Sequence, residues 1–148
     1  MTNRNTQVAQ SLKSVLGDTY ALYLKTHGFH WNVTGPQFHA LHTLFEEQYT
    51  QMWEALDDIA ERVRTLGDTA PGSGRALAAL SEIDEAGDEV PEAKEMLRIL
   101  AADHETWVRR AGEALEVARE AGDDGTEDLL VPMIASHEKS AWMLRSSM

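Results

Sequence analysis

From Val8 to about Trp31, apolar residues recur every three or four positions: Val8, Leu12, Val15, Leu16, Ala21, Leu22 and Leu24. That spacing places them along one side of a helix. Thr34-Gly35-Pro36 interrupts the pattern, with Pro36 suited to a first helical turn and Thr34 or Gly35 to its cap. A second stripe, Phe38, Leu41, Leu44, Phe45, Met52, Leu56, Ile59 and Val63, predicts a helix from about Pro36 to Leu66. Gly67 to Gly74 reads as a loop, Arg75 to Ser81 as a short helix, and Ala86 to Glu89 as a further loop. Pro91 opens a third long helix that ends near Ala121. The turn Gly122-Asp123-Asp124-Gly125 then leads into a fourth, from about Thr126 to Arg145. No sustained two-residue alternation marks a strand. The expected fold is an all-α four-helix bundle with a short extra helix between the second and third long helices.

Length and composition narrow the picture. The 148 residues make one domain, 1–148, because halving the chain would leave each half too small for a core. Met1 to Gln7 is polar and is expected to be a flexible tail, with no apolar core like that of a signal peptide. No apolar run approaches the roughly 18 residues of a membrane span, so a soluble cytoplasmic protein with no membrane partner is expected. The absence of cysteine excludes a disulfide framework, a thiolate zinc site and a cysteine nucleophile. With 13 basic and 25 acidic side chains, the net charge of −12 opposes a phosphate-gripping surface.

The candidate chemistry lies in histidines and acids. Four of six histidines, His27, His30, His39 and His42, fall within sixteen residues. Glu46, Glu47, Glu54, Asp57, Asp58 and Glu61 follow. Imidazole and carboxylate together suit iron, zinc or manganese. A long acidic helix is commonly no more than a solvated face, but the spacing here adds something. His42 and Glu46 are one turn apart, as are Asp57 and Glu61, so each pair shares a face. Eleven residues separate Glu46 from Asp57, about three turns, so both pairs point nearly the same way. That separation is roughly 16 Å of helix rise, far beyond ligand distances of about 2 Å. One helix cannot bring both pairs to one metal.

Two copies can. In an antiparallel two-fold pair, facing residues have a constant sum, and His42/Glu61 and Glu46/Asp57 both sum to 103. The axis would pass near Gln51 and Met52, giving two identical mixed sites. His30, just before the chain break, lies within reach of His42. The single-chain alternative requires Glu-x-x-His on two helices, and none of the six histidines has Glu three residues before it. His-Glu-x-x-His is absent too.

The stretch HWNVTGPQFHALHTLFEEQ (His30 to Gln48), with LDDIAERVRTLGDTA (Leu56 to Ala70) and HEKSAWMLRS (His137 to Ser146), resembles the signature of the Dps family, the ferritin-like mini-ferritins. The likeness covers essentially the whole chain. It implies a ferritin-like bundle and a homo-dodecameric shell built from two-fold dimers. It also implies a ferroxidase site, with up to two irons, at each dimer interface. Carried over by position, the ligands are His30, His42 and Glu46 of one subunit with Asp57 and Glu61 of its neighbour, and His30, His42, Asp57 and Glu61 as the catalytic set. Trp31 would lie beside the iron, and Asp123 and Asp128 would line an iron-entry pore; plain packing for Trp31 and helix capping for the two acids stand beside those readings.

The function so implied is oxidation of Fe(II), with hydrogen peroxide the expected oxidant over oxygen, and storage of Fe(III) mineral. Zinc or manganese are possible substitutes for iron. A DNA-condensing protein with secondary iron chemistry is the rival. DNA binding is not expected at neutral pH, because Met1 to Gln10 contains only Arg4 and nothing basic follows Arg145. His27 and His39 are expected on the surface or behind the ligands, His104 and His137 as hydrogen-bonded structural histidines, and Trp53, Trp107 and Trp142 as packing residues.

Overall fold

The computed structural model describes Thr2 to Met148. Five helices follow one another: α1 (Asn3–Asn32), α2 (Phe38–Thr65), α3 (Gly74–Leu80), α4 (Ala93–Glu120) and α5 (Asp124–Ser146). There is no strand among the described residues, and no helix is long and apolar enough to cross a membrane. The four long helices form the bundle, and short α3 sits between α2 and α4 in the chain, as the hydrophobic pattern predicts.

Caps and turns fix the ends. Thr2 Oγ1 accepts the Asn5 N–H at 3.1 Å, so α1 begins at Asn3. Asn5 Nδ2 donates to the Leu66 carbonyl at 3.3 Å. Residues 3–7, expected as a flexible tail, are therefore the first turns of a helix; Met1 lies outside the described residues. The helix after the first break starts at Phe38 rather than Pro36. Gly35 holds φ 112° and accepts the Phe38 N–H at 3.0 Å, a turn that delays the helix. Asp123 caps α5 by accepting the Thr126 N–H at 3.0 Å, so the helix begins at Asp124, two residues before the predicted start.

Helix α1 pairs with α2 and α4 with α5, while α1 against α4 joins the two hairpins. Between them lie Val8, Leu12, Leu22, Phe45, Ile59, Met96, Leu100, Trp107, Leu130 and Leu144, all fully buried. Burying a side chain of this size contributes about 1.5–3 kcal/mol. Gly17 lets α3 dock closely, since a Cβ there would meet the Leu77 carbonyl oxygen at 2.7 Å. Buried Asp18 receives Arg110 Nε at 2.8 Å and the Glu82 N–H at 2.8 Å, pinning the loop after α3 to α1 and α4.

Helices α2 and α5 touch only lightly, which leaves a groove of about 630 Å³ between them. The packing expected of all three later tryptophans holds for Trp107 alone. Trp53 and Trp142 are each 61% exposed, as is Trp31, although the Trp53 ring touches Tyr23 at 5.4 Å and Trp31 touches His27 at 4.4 Å. Leu24, on the predicted apolar stripe, is also exposed.

Candidate metal centre

The turn after α1 folds the chain back so that His30 and His42 meet. Their rings stack with centroids 3.7 Å apart and planes 14° from parallel. His30 Nδ1 donates to the His42 carbonyl at 2.7 Å, and His42 Nδ1 donates to the His30 carbonyl at 2.7 Å. A carbonyl can only accept, so each Nδ1 carries a hydrogen, and Nε2 is the nitrogen left to offer a lone pair to a metal. This is how a histidine is oriented for a metal: the far nitrogen is tied to the protein and the near one is left to donate. The pattern of types shows two histidines; the reciprocal bonds that set their tautomers emerge only from the geometry.

Glu46, one turn after His42, brings Oε1 to 3.9 Å from His30 Nε2. His30 is buried and Glu46 is exposed, so this pair reaches from the chain interior to its surface. Asp57 and Glu61 lie further along α2 and are exposed. The Asp57 charge, and a hydrogen bond with that carboxyl, push the Glu61 carboxyl above its ordinary value. Two acids crowded in this way are eased by a cation between them. Within one chain, no three His, Asp or Glu side chains converge as a metal site among the described residues. What one chain holds is two separate half-sets, His30/His42/Glu46 and Asp57/Glu61.

Around His30 lies an aromatic cluster. His27 stacks on Tyr49 with centroids 3.9 Å apart and approaches Trp31 at 4.4 Å. The Tyr23 hydroxyl and His27 Nδ1 are hydrogen-bonded at 2.9 Å. Burial, then the nearby His30, lowers the His27 pKa, so this ring is neutral at pH 7. Thus His27 packs behind the pair, as expected, and His39 is exposed.

The two acids expected at an entry pore differ. Asp123 is engaged inside its own chain: it accepts from Thr126 N, from Thr126 Oγ1 at 2.7 Å, and from Arg62 Nη2 at 2.6 Å. Burial works to raise its pKa, but the Thr126 and Arg62 contacts outweigh that and hold it low. Geometry therefore favours the cap for Asp123, and the sequence signal was Thr126 three residues on. Asp128 is exposed on the first turns of α5 and lines the α2–α5 groove with Asp58 and Glu61. Pro132, four residues later, has no N–H for the Asp128 carbonyl, so that oxygen also lacks its helical partner.

A ferritin-like domain model matches residues 9–148. The DNA protection during starvation protein 2 of Bacillus anthracis is 36% identical over 143 residues, spanning 96% of this chain and 97% of that one. DpsC from Streptomyces coelicolor superposes with a TM-score of 0.96 at 33% identity, over 99% of this chain and 86% of that one. The Dps protein of Vibrio cholerae, described as a member of a broad superfamily of ferritin-like diiron-carboxylate proteins, superposes with a TM-score of 0.91 at 31% identity, over 97% and 89%. Fold and family match thus define a ferritin-like protein. Within that class, the chain belongs to the Dps family.

Proposed function

We propose that this protein is a ferroxidase and iron store: it oxidises Fe(II), with hydrogen peroxide as oxidant, and keeps the Fe(III) mineral inside a homo-dodecameric shell. The observation that carries the reading is the His30–His42 arrangement, two stacked imidazoles each tied through Nδ1, with Glu46 Oε1 3.9 Å from His30 Nε2. These donors take Fe(II) as substrate at the surface of one subunit. Asp57 and Glu61 of an antiparallel partner subunit complete the set, because their places on α2 mirror those of Glu46 and His42 about Gln51 and Met52. With few protein donors per iron, coordination positions stay open for the oxidant. Two irons give one electron each, the peroxide O–O bond breaks, and with two protons the products are two waters; no hydroxyl radical is released. The same donors accept zinc or manganese as competitors. The exposed Trp31, Trp53 and Phe38 flank the ligands and would be covered by the partner helices. Asp128 is the better placed of the two acids to guide cations inward. Such a store belongs in the cytoplasm.

Sharing of the site between subunits is tested by mixing. An inactive His30→Ala/His42→Ala chain and an inactive Asp57→Ala/Glu61→Ala chain are each dead alone. Co-assembled, they leave one intact site in each mixed dimer, so Fe(II) oxidation returns to about half the wild-type rate per mixed dimer. No recovery despite proven mixing defeats the shared site.

The rival reading, DNA condensation, draws on the name of the Bacillus anthracis relative. Charge speaks against it here. Of 13 basic side chains, Lys13, Lys25, Arg62, Arg98, Arg109, Arg110, Arg119 and Arg145 are already ion-paired with acids of the same chain. Few remain to release counterions from phosphate. Plasmid in EDTA at pH 7.5 and physiological salt should migrate unchanged with excess protein. A retarded band would restore the rival.

A further inference from the structure

The α2–α5 groove reaches the bundle interior at Gln48, His104, His137 and Ser140. Two polar atoms lining it are buried without a partner among the described residues: Gln48 Oε1 and His104 Nε2. Gln48 is 3% exposed and His104 1%. Their other polar atoms are committed. Gln48 Nε2 donates to the Ser140 carbonyl at 3.3 Å, which fixes the amide orientation. His104 Nδ1 and His137 Nδ1 share one hydrogen at 2.9 Å. His137 is held by Trp107, stacked at 3.5 Å and 7°, whose Nε1 donates to Thr19 Oγ1 at 2.9 Å. The neighbourhood is therefore fixed from α1, α4 and α5 at once.

An unpaired buried polar atom costs about 1–3 kcal/mol, so two along one groove call for a ligand. Its chemistry follows from the two atoms. Gln48 Oε1 only accepts, so the ligand must donate. His104 Nε2 donates or accepts according to which Nδ1 holds the shared hydrogen, so the ligand must be able to do either. A simple anion such as chloride cannot donate. A metal ion would find one imidazole and one amide oxygen, and no third His, Asp or Glu converges there. Water meets both conditions.

We propose that the inner end of this groove is a binding site for an ordered water molecule that donates to Gln48 Oε1 and pairs with His104 Nε2. The bridge ties α2, which carries His42, Glu46, Asp57 and Glu61, to α4 across the lightly packed side of the bundle. It does not depend on the iron chemistry.

The test is a crystal structure of the full assembled protein at about 1.5 Å, with zinc-edge data from a crystal soaked in zinc chloride. A spherical peak within about 3.2 Å of both atoms, without anomalous signal, is the expected result. An anomalous peak on His104 Nε2, no density, or the two side chains paired directly would each overturn it. A double-mutant cycle in denaturant supplies a second measurement. His104→Phe also strips His137 of its partner, but that loss occurs with or without Gln48→Met and cancels in the cycle. The bridge requires the double variant to be at least fivefold less impaired in its folding constant than the two single losses multiplied. Multiplicative losses would overturn the bridge.

Discussion

The chain contains two histidine pairs, and they have opposite uses. In His30–His42 each Nδ1 is tied to a backbone carbonyl and the rings stack at 3.7 Å, so neither Nε2 is spent on those bonds. In His104–His137 the two Nδ1 atoms bond to each other and the rings tilt by 50° at 4.9 Å. The first pair lies just beneath the chain surface, with an exposed carboxylate 3.9 Å from His30 Nε2; the second is almost wholly buried, and among the described residues no carboxylate is hydrogen-bonded to either ring. Residue type is the same in both. What separates a candidate ligand pair from a packed pair is where Nδ1 points and what lies next to Nε2.

The largest effect should come from removing one member of the surface pair. His42→Ala deletes a donor and the ring stacked on His30, while the residue 42 carbonyl that accepts from His30 Nδ1 remains. Loss of an orienting partner alone typically costs 10–100-fold, so Fe(II) oxidation with peroxide should fall by about 100-fold or more. Stopped-flow absorbance with circular dichroism as a fold control measures this. A variant that folds and retains a tenth of the rate would show that the pair is not the ligand set.

The buried pair should govern acid stability instead. Burial pushes the His104 pKa down to about 3 and lowers His137 well below its ordinary value, with His104 adding to the effect on His137. Both folded-state values lie below the unfolded value near 6.5, so the unfolded chain binds more protons in acid. Their stabilisation is fully present above about pH 6.5 and is lost as pH falls toward 3. The slope is about 1.4 kcal/mol per pH unit for each histidine. His104→Gln should flatten the dependence of unfolding free energy on pH between 6 and 4 by about that amount. An unchanged slope would mean that these rings protonate without cost in the folded chain.

The long helices were legible because each carries its own apolar stripe, and their breaks lie at Gly and Pro. Positions whose partners are distant in sequence were not legible. Trp53 and Trp142 read as packing residues because they are large and apolar, yet burial depends on how much of a face meets another helix, and both stay 61% exposed, Trp53 with only an edge against Tyr23. Family likeness matches Asp123 to a pore acid, and nothing in the acidic turn signals its bond from Arg62, sixty-one positions earlier. For the candidate site, His42/Glu46 and Asp57/Glu61 were readable from a four-residue step on one helix. Residue types alone left open how the His30 ring would sit, since its contacts depend on the fold-back at Gly35.

The smallest effect should come from a histidine that belongs to neither pair. His39 lies one turn before His42 on α2 but is exposed, and its side chain has no hydrogen bond among the described residues. If histidine content near the break were what mattered, His39→Ala would slow iron oxidation along with His42→Ala. If tied Nδ1 atoms matter, His39→Ala changes the rate by less than twofold and stability by no more than about 0.5 kcal/mol, the usual range for an exposed substitution. Both variants belong in the same stopped-flow series at one iron-to-protein ratio. A tenfold slowing in His39→Ala would place a ligand or an iron route at His39, and would break the rule that the surface pair is defined by its bonds rather than by its neighbourhood.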